Sequence, residues 1–221
     1  MAKIWHHHSL SIVLFSVFAL FWAGQSVTGW RVEVGELEEH GRQPVTYAAY
    51  VTSGAFLEST AENWESEFLQ MAAYVFLTVF LRQKGSAESK KLEGKEKVDA
   101  DPRSARDDPH APWPVRRGGA FVLKLYENSL GLAFVVLFLG SFLLHAQGGA
   151  VDYNEEQALH GGAPVTLGGY LLTSRFWFES LQNWQSEFLA VGSIVVLSIF
   201  LRQRGSPESK PVAAPHAETG G

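Results

Sequence analysis

Glu67 and Glu187 stand apart from the other acidic residues because each sits in the same short text. It reads Asn63-Trp64-Glu65-Ser66-Glu67-Phe68-Leu69 in the first half of the chain and Asn183-Trp184-Gln185-Ser186-Glu187-Phe188-Leu189 in the second. Asn63, Ser66, Glu67 and Gln70 fall at i, i+3, i+4 and i+7, the spacing of one polar stripe on a helix. In the second copy Asn183, Ser186 and Glu187 persist, and Ala190 replaces the glutamine. If both stripes face a common axis, two carboxylates meet, at least one is driven toward its protonated form, and the pair suits a proton or a cation. The same residue types also have a structural use. Asn, Ser and Glu beside a Trp at the outer end of a membrane helix make an ordinary cap and interface anchor, since acids are favoured near a helix N-terminus.

Other candidate chemistry is thin. The chain has no cysteine, which excludes disulfides, thiolate catalysis and Cys-based metal sites. His40 and His160 have flanking glycines and nearby acids, but their spacing matches no zinc signature. His145 faces Gln25 in the other copy, so no metal site is expected there either. His6, His7 and His8 read as a flank at the lipid headgroups. No nucleophile elbow, phosphate loop or paired-motif enzyme site is present, and neither a cofactor nor an enzymatic activity is expected. Net charge is −5, and acids interleave with the lysines, so no basic face exists for nucleic acid.

The elements that must position these residues follow from a gapless offset of 120. It pairs Asn63 with Asn183, Arg82 with Arg202, His40 with His160, Tyr50 with Tyr170, and Phe80-Leu81-Arg82-Gln83-Lys84-Gly85-Ser86-Ala87-Glu88-Ser89-Lys90 with Phe200-Leu201-Arg202-Gln203-Arg204-Gly205-Ser206-Pro207-Glu208-Ser209-Lys210. This is an internal duplication. Four apolar runs give membrane helices at about 5–24, 64–81, 129–145 and 184–201, each near the ~20 residues a bilayer needs. A cleaved leader is the rival for the first run, but its counterpart near Leu130 is internal. The expected fold is thus an all-α membrane protein of four transmembrane helices, arranged as two parallel helical-hairpin repeats with short interfacial helices after Pro44 and Pro164. The expected divisions are repeat 1 over 1–90, a disordered cytoplasmic linker over 91–120, repeat 2 over 121–210 and a flexible tail over 211–221.

Orientation follows from the cations. Only Arg31, Arg42 and Arg175 fall in the two acidic loops, leaving 15 of the 18 Lys and Arg on the other side. The positive-inside rule then makes both termini and the linker cytoplasmic in a plasma membrane. Arg82 and Arg202 mark the inner boundary, and Trp64 and Trp184 anchor the outer one. Glu67, fifteen residues before Arg82, lies about 22 Å back along the helix, inside a core of about 30 Å. A charge at the bilayer centre costs roughly 2.5–3.5 kcal/mol on insertion scales, less toward the surface, so the position is tolerable without being neutral.

The words N-W-Q-S-E-F and F-L-R-Q-R-G-S-P-E-S-K, with F-W-A-G-Q-S closing the first helix, resemble a bacterial family of small integral membrane proteins classed only as a domain of unknown function. The resemblance covers nearly the whole chain apart from linker and tail. It implies a duplicated multi-span protein of the bacterial inner membrane and supplies no activity or substrate. Glu62 and Glu65 face Gln182 and Gln185, so a strictly symmetric site is in doubt. Two functions remain open: a non-enzymatic envelope or scaffold protein, and a small transporter or channel binding a proton or cation at Glu67 and Glu187. The partner in either case is the lipid bilayer, and four spans are few for a permeation path, so transport implies a homo-oligomer.

Overall fold

The computed structural model describes residues 2–220, and among these no strand occurs. The helices are α1 (Ala2–Glu39), α2 (Tyr47–Tyr50), α3 (Gly54–Phe80), α4 (Trp113–Arg117), α5 (Ala120–Glu127), α6 (Ser129–Leu159), α7 (Leu167–Tyr170) and α8 (Ser174–Phe200). The boundaries of α7 and α8 lie 120 residues after those of α2 and α3 at both ends, and α1 and α6 stop 120 residues apart. The stretch expected as linker carries two 3-10 turns, Lys97–Asp99 and Pro102–Ala105, followed by α4.

Three helices among the described residues are long and apolar enough to cross a membrane: α1 from Lys3, α6 and α8. The fourth expected span, on α3, does not reach that composition. Its length equals that of α8, but Glu58, Glu62, Glu65 and Gln70 stand where α8 has Phe178, Gln182, Gln185 and Ala190.

The helices also run further than the apolar runs. α1 continues through the acidic stretch expected as loop, because nothing there breaks it before Gly41. Gly41 takes φ +66°, and the Arg42 and Gly41 amides return to the Leu37 and Glu38 carbonyls, a Schellman ending that only a left-handed residue allows at little cost. The interfacial helix expected after Pro44 is a single turn, α2, then a break and the start of α3. Each piece has its own N-cap: Thr46 Oγ1 accepts from the Ala49 amide at 3.3 Å and Ser53 Oγ from the Phe56 amide at 3.3 Å. Thr166 and Thr173 do the same for α7 and α8.

The chain divides into two compact units, residues 1–61 with 143–176 and residues 62–142 with 177–221. In the first, the start of α3 lies against the second half of α6 through glycine. A Cβ on Gly148 would stand 2.6 Å from the Glu58 nitrogen, and one on Gly54 would stand 2.8 Å from the Gly148 oxygen. Around them, Trp30 Nε1 donates to the Val45 carbonyl at 2.8 Å, and Asn154 clasps Val165 by two bonds of 2.9 and 2.7 Å, holding each connecting loop to its own helix.

In the second unit the paired loops after α3 and α8 close alike. The Gln83 and Gln203 amides each donate to a serine hydroxyl six residues on, Ser89 and Ser209, at 2.9 Å. Arg82 turns back on the Val79 and Leu81 carbonyls and Arg202 on those of Ser198, Ile199 and Leu201. Each satisfies a helix C-terminus with a cation. Residues 211–220, expected as a flexible tail, fold back. Buried Lys210 points its ammonium at the carbonyls of Gly85, Pro215, His216 and Glu218 at 2.6–3.2 Å. Burial, and then the charge of Arg202, push its pKa below the usual lysine range.

Candidate functional site

The stripe expected from the sequence lies in the second unit and is only partly buried. Ser66 is buried, but its hydroxyl donates to the Asn63 carbonyl of its own helix at 2.8 Å, as Ser186 does to Asn183 at 2.8 Å. Asn63 and Glu67 are exposed and Glu187 is half-buried, with Glu67 and Glu187 close enough for their charges to interact. Asn183 donates to the Glu179 carbonyl of its own helix at 3.2 Å. The fully buried acid is the neighbour, Glu65, whose carboxylate accepts from Trp184 Nε1 at 2.9 Å. Trp184, expected as an interface anchor, meets Phe138 and Trp177 edge-on at 6.4 and 6.2 Å. Its ring is therefore held from two sides while its N–H serves an acid that the second copy lacks. Trp64 is half-buried.

A denser polar centre forms in the first unit. Glu58, in the first turns of α3, is buried, and its Oε1 accepts from the Tyr170 hydroxyl at 2.9 Å. Tyr170, His145 and Phe176 are all fully buried. The His145 ring stacks on Phe176 at 4.8 Å, and one of its nitrogens lies within 4.8 Å of a Glu58 carboxylate oxygen. Arg175, at the start of α8, reaches three acids: Glu156 by a short ion pair, Asp152 at 2.7 Å and Glu58 Oε2 at 3.9 Å. Its guanidinium also lies 5.9 Å over the Tyr153 ring. Gly149 makes the room, since a Cβ there would stand 2.3 Å from the Tyr170 oxygen.

Arg175 is also part of the wall of a pocket of about 850 Å³ in the same unit. The wall carries five carboxylates, Glu33, Glu36, Asp152, Glu155 and Glu156, against two guanidiniums, Arg42 and Arg175, with Leu37, Val45 and Leu159 as apolar surface. The acid excess is felt nearby: burial first, and then the charge of Glu33, push the Tyr50 phenol above the usual tyrosine range. A pocket of this sign draws cations, and Arg175 is the built-in cation that joins it to Glu58.

The geometry can do two things. A buried carboxylate that accepts from a phenol and neighbours an imidazole can take up and pass on a proton. The three acids around the one Arg175 guanidinium also make an anionic setting that favours a cation. A match over residues 1–221 to the domain of unknown function DUF6766 sets the family of the chain. The chain belongs to that family. No curated protein and no solved structure matches it. As a member of DUF6766 the chain is an all-helical protein with helices fit for a membrane, and its chemistry has to be read from its own residues.

Sequence reasoning passed over this centre although it named Arg175 and His145. The signal was the difference between the copies. Glu58, His145, Asp152 and Arg175 face Phe178, Gln25, Val32 and Ala55 under the offset of 120. At four paired positions one copy is ionisable where the other is apolar or neutral, Glu58 in the first copy and the other three in the second, and all four lie in one unit.

Proposed function

We propose that the chain is a non-enzymatic, four-span protein of the bacterial inner membrane that takes a proton or small cation from the outer side into the Glu58 centre. The observation that carries this is the ion-paired Arg175, which joins a buried acid to a pocket with five carboxylates. Such groups inside a membrane protein are costly unless used, because desolvation penalises each charge that is not fully paired. Proteoliposomes with a pH-sensitive dye inside test the reading. An imposed gradient drives proton entry through the native chain, and Glu58→Gln abolishes it while leaving the protein folded. Equal entry with and without Glu58→Gln overturns the reading.

The four-span layout rests on the duplication. α8 qualifies as a span, α3 is its counterpart boundary for boundary, and residues 71–80 of α3 carry no charge. With four spans the two termini and the linker share one side and 15 of 18 cations lie there. The absence of cysteine makes this directly testable. In intact cells a membrane-impermeant maleimide labels Arg42→Cys and leaves Lys95→Cys unlabelled until the membrane is opened. Labelling of both from outside removes the four-span topology.

A scaffold role is the second reading, and the exposed apolar faces of α1 and α8 favour it. Only 6% of the most apolar window of each is buried within the chain, leaving the rest for lipid or for a further copy. Glu67 and Glu187, with Asn63, Ser66, Asn183 and Ser186, then serve packing between copies rather than binding.

A further inference from the structure

The helix ends that carry the acidic pocket bring two histidines together from 120 residues apart. His40 closes α1 and His160 closes α6, and their rings lie 6.3 Å apart between centroids at 79°. Both side chains are exposed. In each, Nδ1 is hydrogen-bonded to the carbonyl four residues earlier, Glu36 for His40 at 2.8 Å and Glu156 for His160 at 3.0 Å. A carbonyl can only accept, so Nδ1 carries the proton in both rings. The lone pair of the neutral ring is left on Nε2. This is the arrangement that fixes tautomer and orientation in histidines that bind metal, where the second nitrogen is tied to a carbonyl or carboxylate. Glu36 and Glu156, whose carbonyls hold the rings, also line the acidic pocket with their side chains.

The geometry points to a two-imidazole site for a divalent cation of the zinc class, built from Nε2 of His40 and of His160 at the pocket's edge. A zinc–nitrogen bond of about 2.0–2.1 Å places each ring centroid roughly 3.2 Å from the ion. Two such arms at a tetrahedral angle set the centroids roughly 5.2 Å apart, so from the observed 6.3 Å the two exposed rings must close by about 1 Å to hold the ion. Imidazole selects a borderline cation such as Zn²⁺, Ni²⁺ or Cu²⁺ over Mg²⁺ or Ca²⁺, which prefer all-oxygen ligands. Water completes the shell. The local spacing of a zinc motif is absent because the two ligands come from different repeats.

The site binds whether or not Glu58 conducts protons, and the test keeps the two apart. The full chain in detergent micelles, with His6, His7 and His8 replaced by alanine to remove a competing cluster, is titrated with Zn²⁺ by calorimetry. It is then titrated with Co²⁺, whose visible absorption reports nitrogen ligation. One ion binds per chain, unaffected by excess Mg²⁺. His40→Ala and His160→Ala each weaken binding by about tenfold or more, at least what loss of an outer partner costs a metal site, and the double change adds little. Glu58→Gln leaves binding as it was, so its effect on proton entry is read separately. Absence of binding, or binding that survives the double change, overturns the site.

Discussion

Replacing Arg175 with leucine lowers the melting temperature of the solubilised protein by roughly 4–8 °C, the shift expected for about 2 kcal/mol in a chain of this size. The reasoning starts from the three carboxylates that share its guanidinium. Breaking a buried ion pair from one side costs about 3–5 kcal/mol, because the partner charge stays behind without compensation. Arg175 is 31% exposed and Glu156 is 50% exposed, so water screens part of that cost and the figure is taken lower. Arg175→Lys keeps the charge but not the planar fork that reaches Asp152 and Glu156 through different nitrogens. It is expected to fall between the native chain and the leucine variant. Adding Asp152→Asn to Arg175→Leu recovers part of the loss, since one uncompensated charge is gone. A further loss on adding it shows that packing, not charge, set the effect, and an unchanged melting temperature in Arg175→Leu removes the ion-pair argument altogether.

The fold was legible wherever apolar length decides it. The expected spans at about 5–24 and 129–145 lie within helices apolar enough to span, and so does that at about 184–201 as far as Phe200. The boundaries were less legible. α1 and α6 pass straight through acidic text because charge does not stop a helix, whereas Gly41 and Gly161, with positive φ, do. The centre was hidden for a different reason. Retained identity drew attention to Glu67 and Glu187, yet Glu67 is exposed, and the fully buried acid two positions earlier, Glu65, is one the second copy replaces with Gln185. A duplicated scaffold keeps what both halves need for packing, so identity between copies reports structure. Chemistry that is needed once shows as divergence. Glu58, His145, Asp152 and Arg175 are all departures between the copies, while Tyr170 and Phe176, which pack around them, keep their counterparts Tyr50 and Phe56. Tyr50 accordingly remains a buried tyrosine against Phe56 at 5.5 Å, with its phenol hydrogen-bonded to Ser59 where Tyr170 bonds the Glu58 carboxylate.

Gly148→Ala and Gly140→Ala, eight residues apart on α6, are expected to move stability in opposite directions. A Cβ on Gly140 meets nothing within 4 Å, so alanine there brings only its better helix propensity, up to about 1 kcal/mol over glycine. A Cβ on Gly148 meets backbone on two sides, the Glu58 nitrogen at 2.6 Å and the Gly54 oxygen at 2.9 Å. Backbone cannot rotate aside as a side chain does, so α3 and α6 must part locally. Overpacking of this kind costs about 1–3 kcal/mol, enough to outweigh the propensity gain. The consequence reaches function, because Glu58 is itself the residue displaced. Gly148→Ala therefore lowers the melting temperature and slows proton entry together, whereas Gly140→Ala raises the first and leaves the second alone. Gly149→Ala separates the two effects. Its Cβ would meet the Tyr170 hydroxyl at 2.3 Å and Glu58 Oε1 at 2.7 Å, so it forces apart the phenol and carboxylate that hold each other, and proton entry falls as it does in Tyr170→Phe. Thermal unfolding and dye-reported proton entry on the three glycine variants decide it. Equal behaviour of Gly148→Ala and Gly140→Ala rules out the close approach of α3 and α6 as the frame of the Glu58 centre.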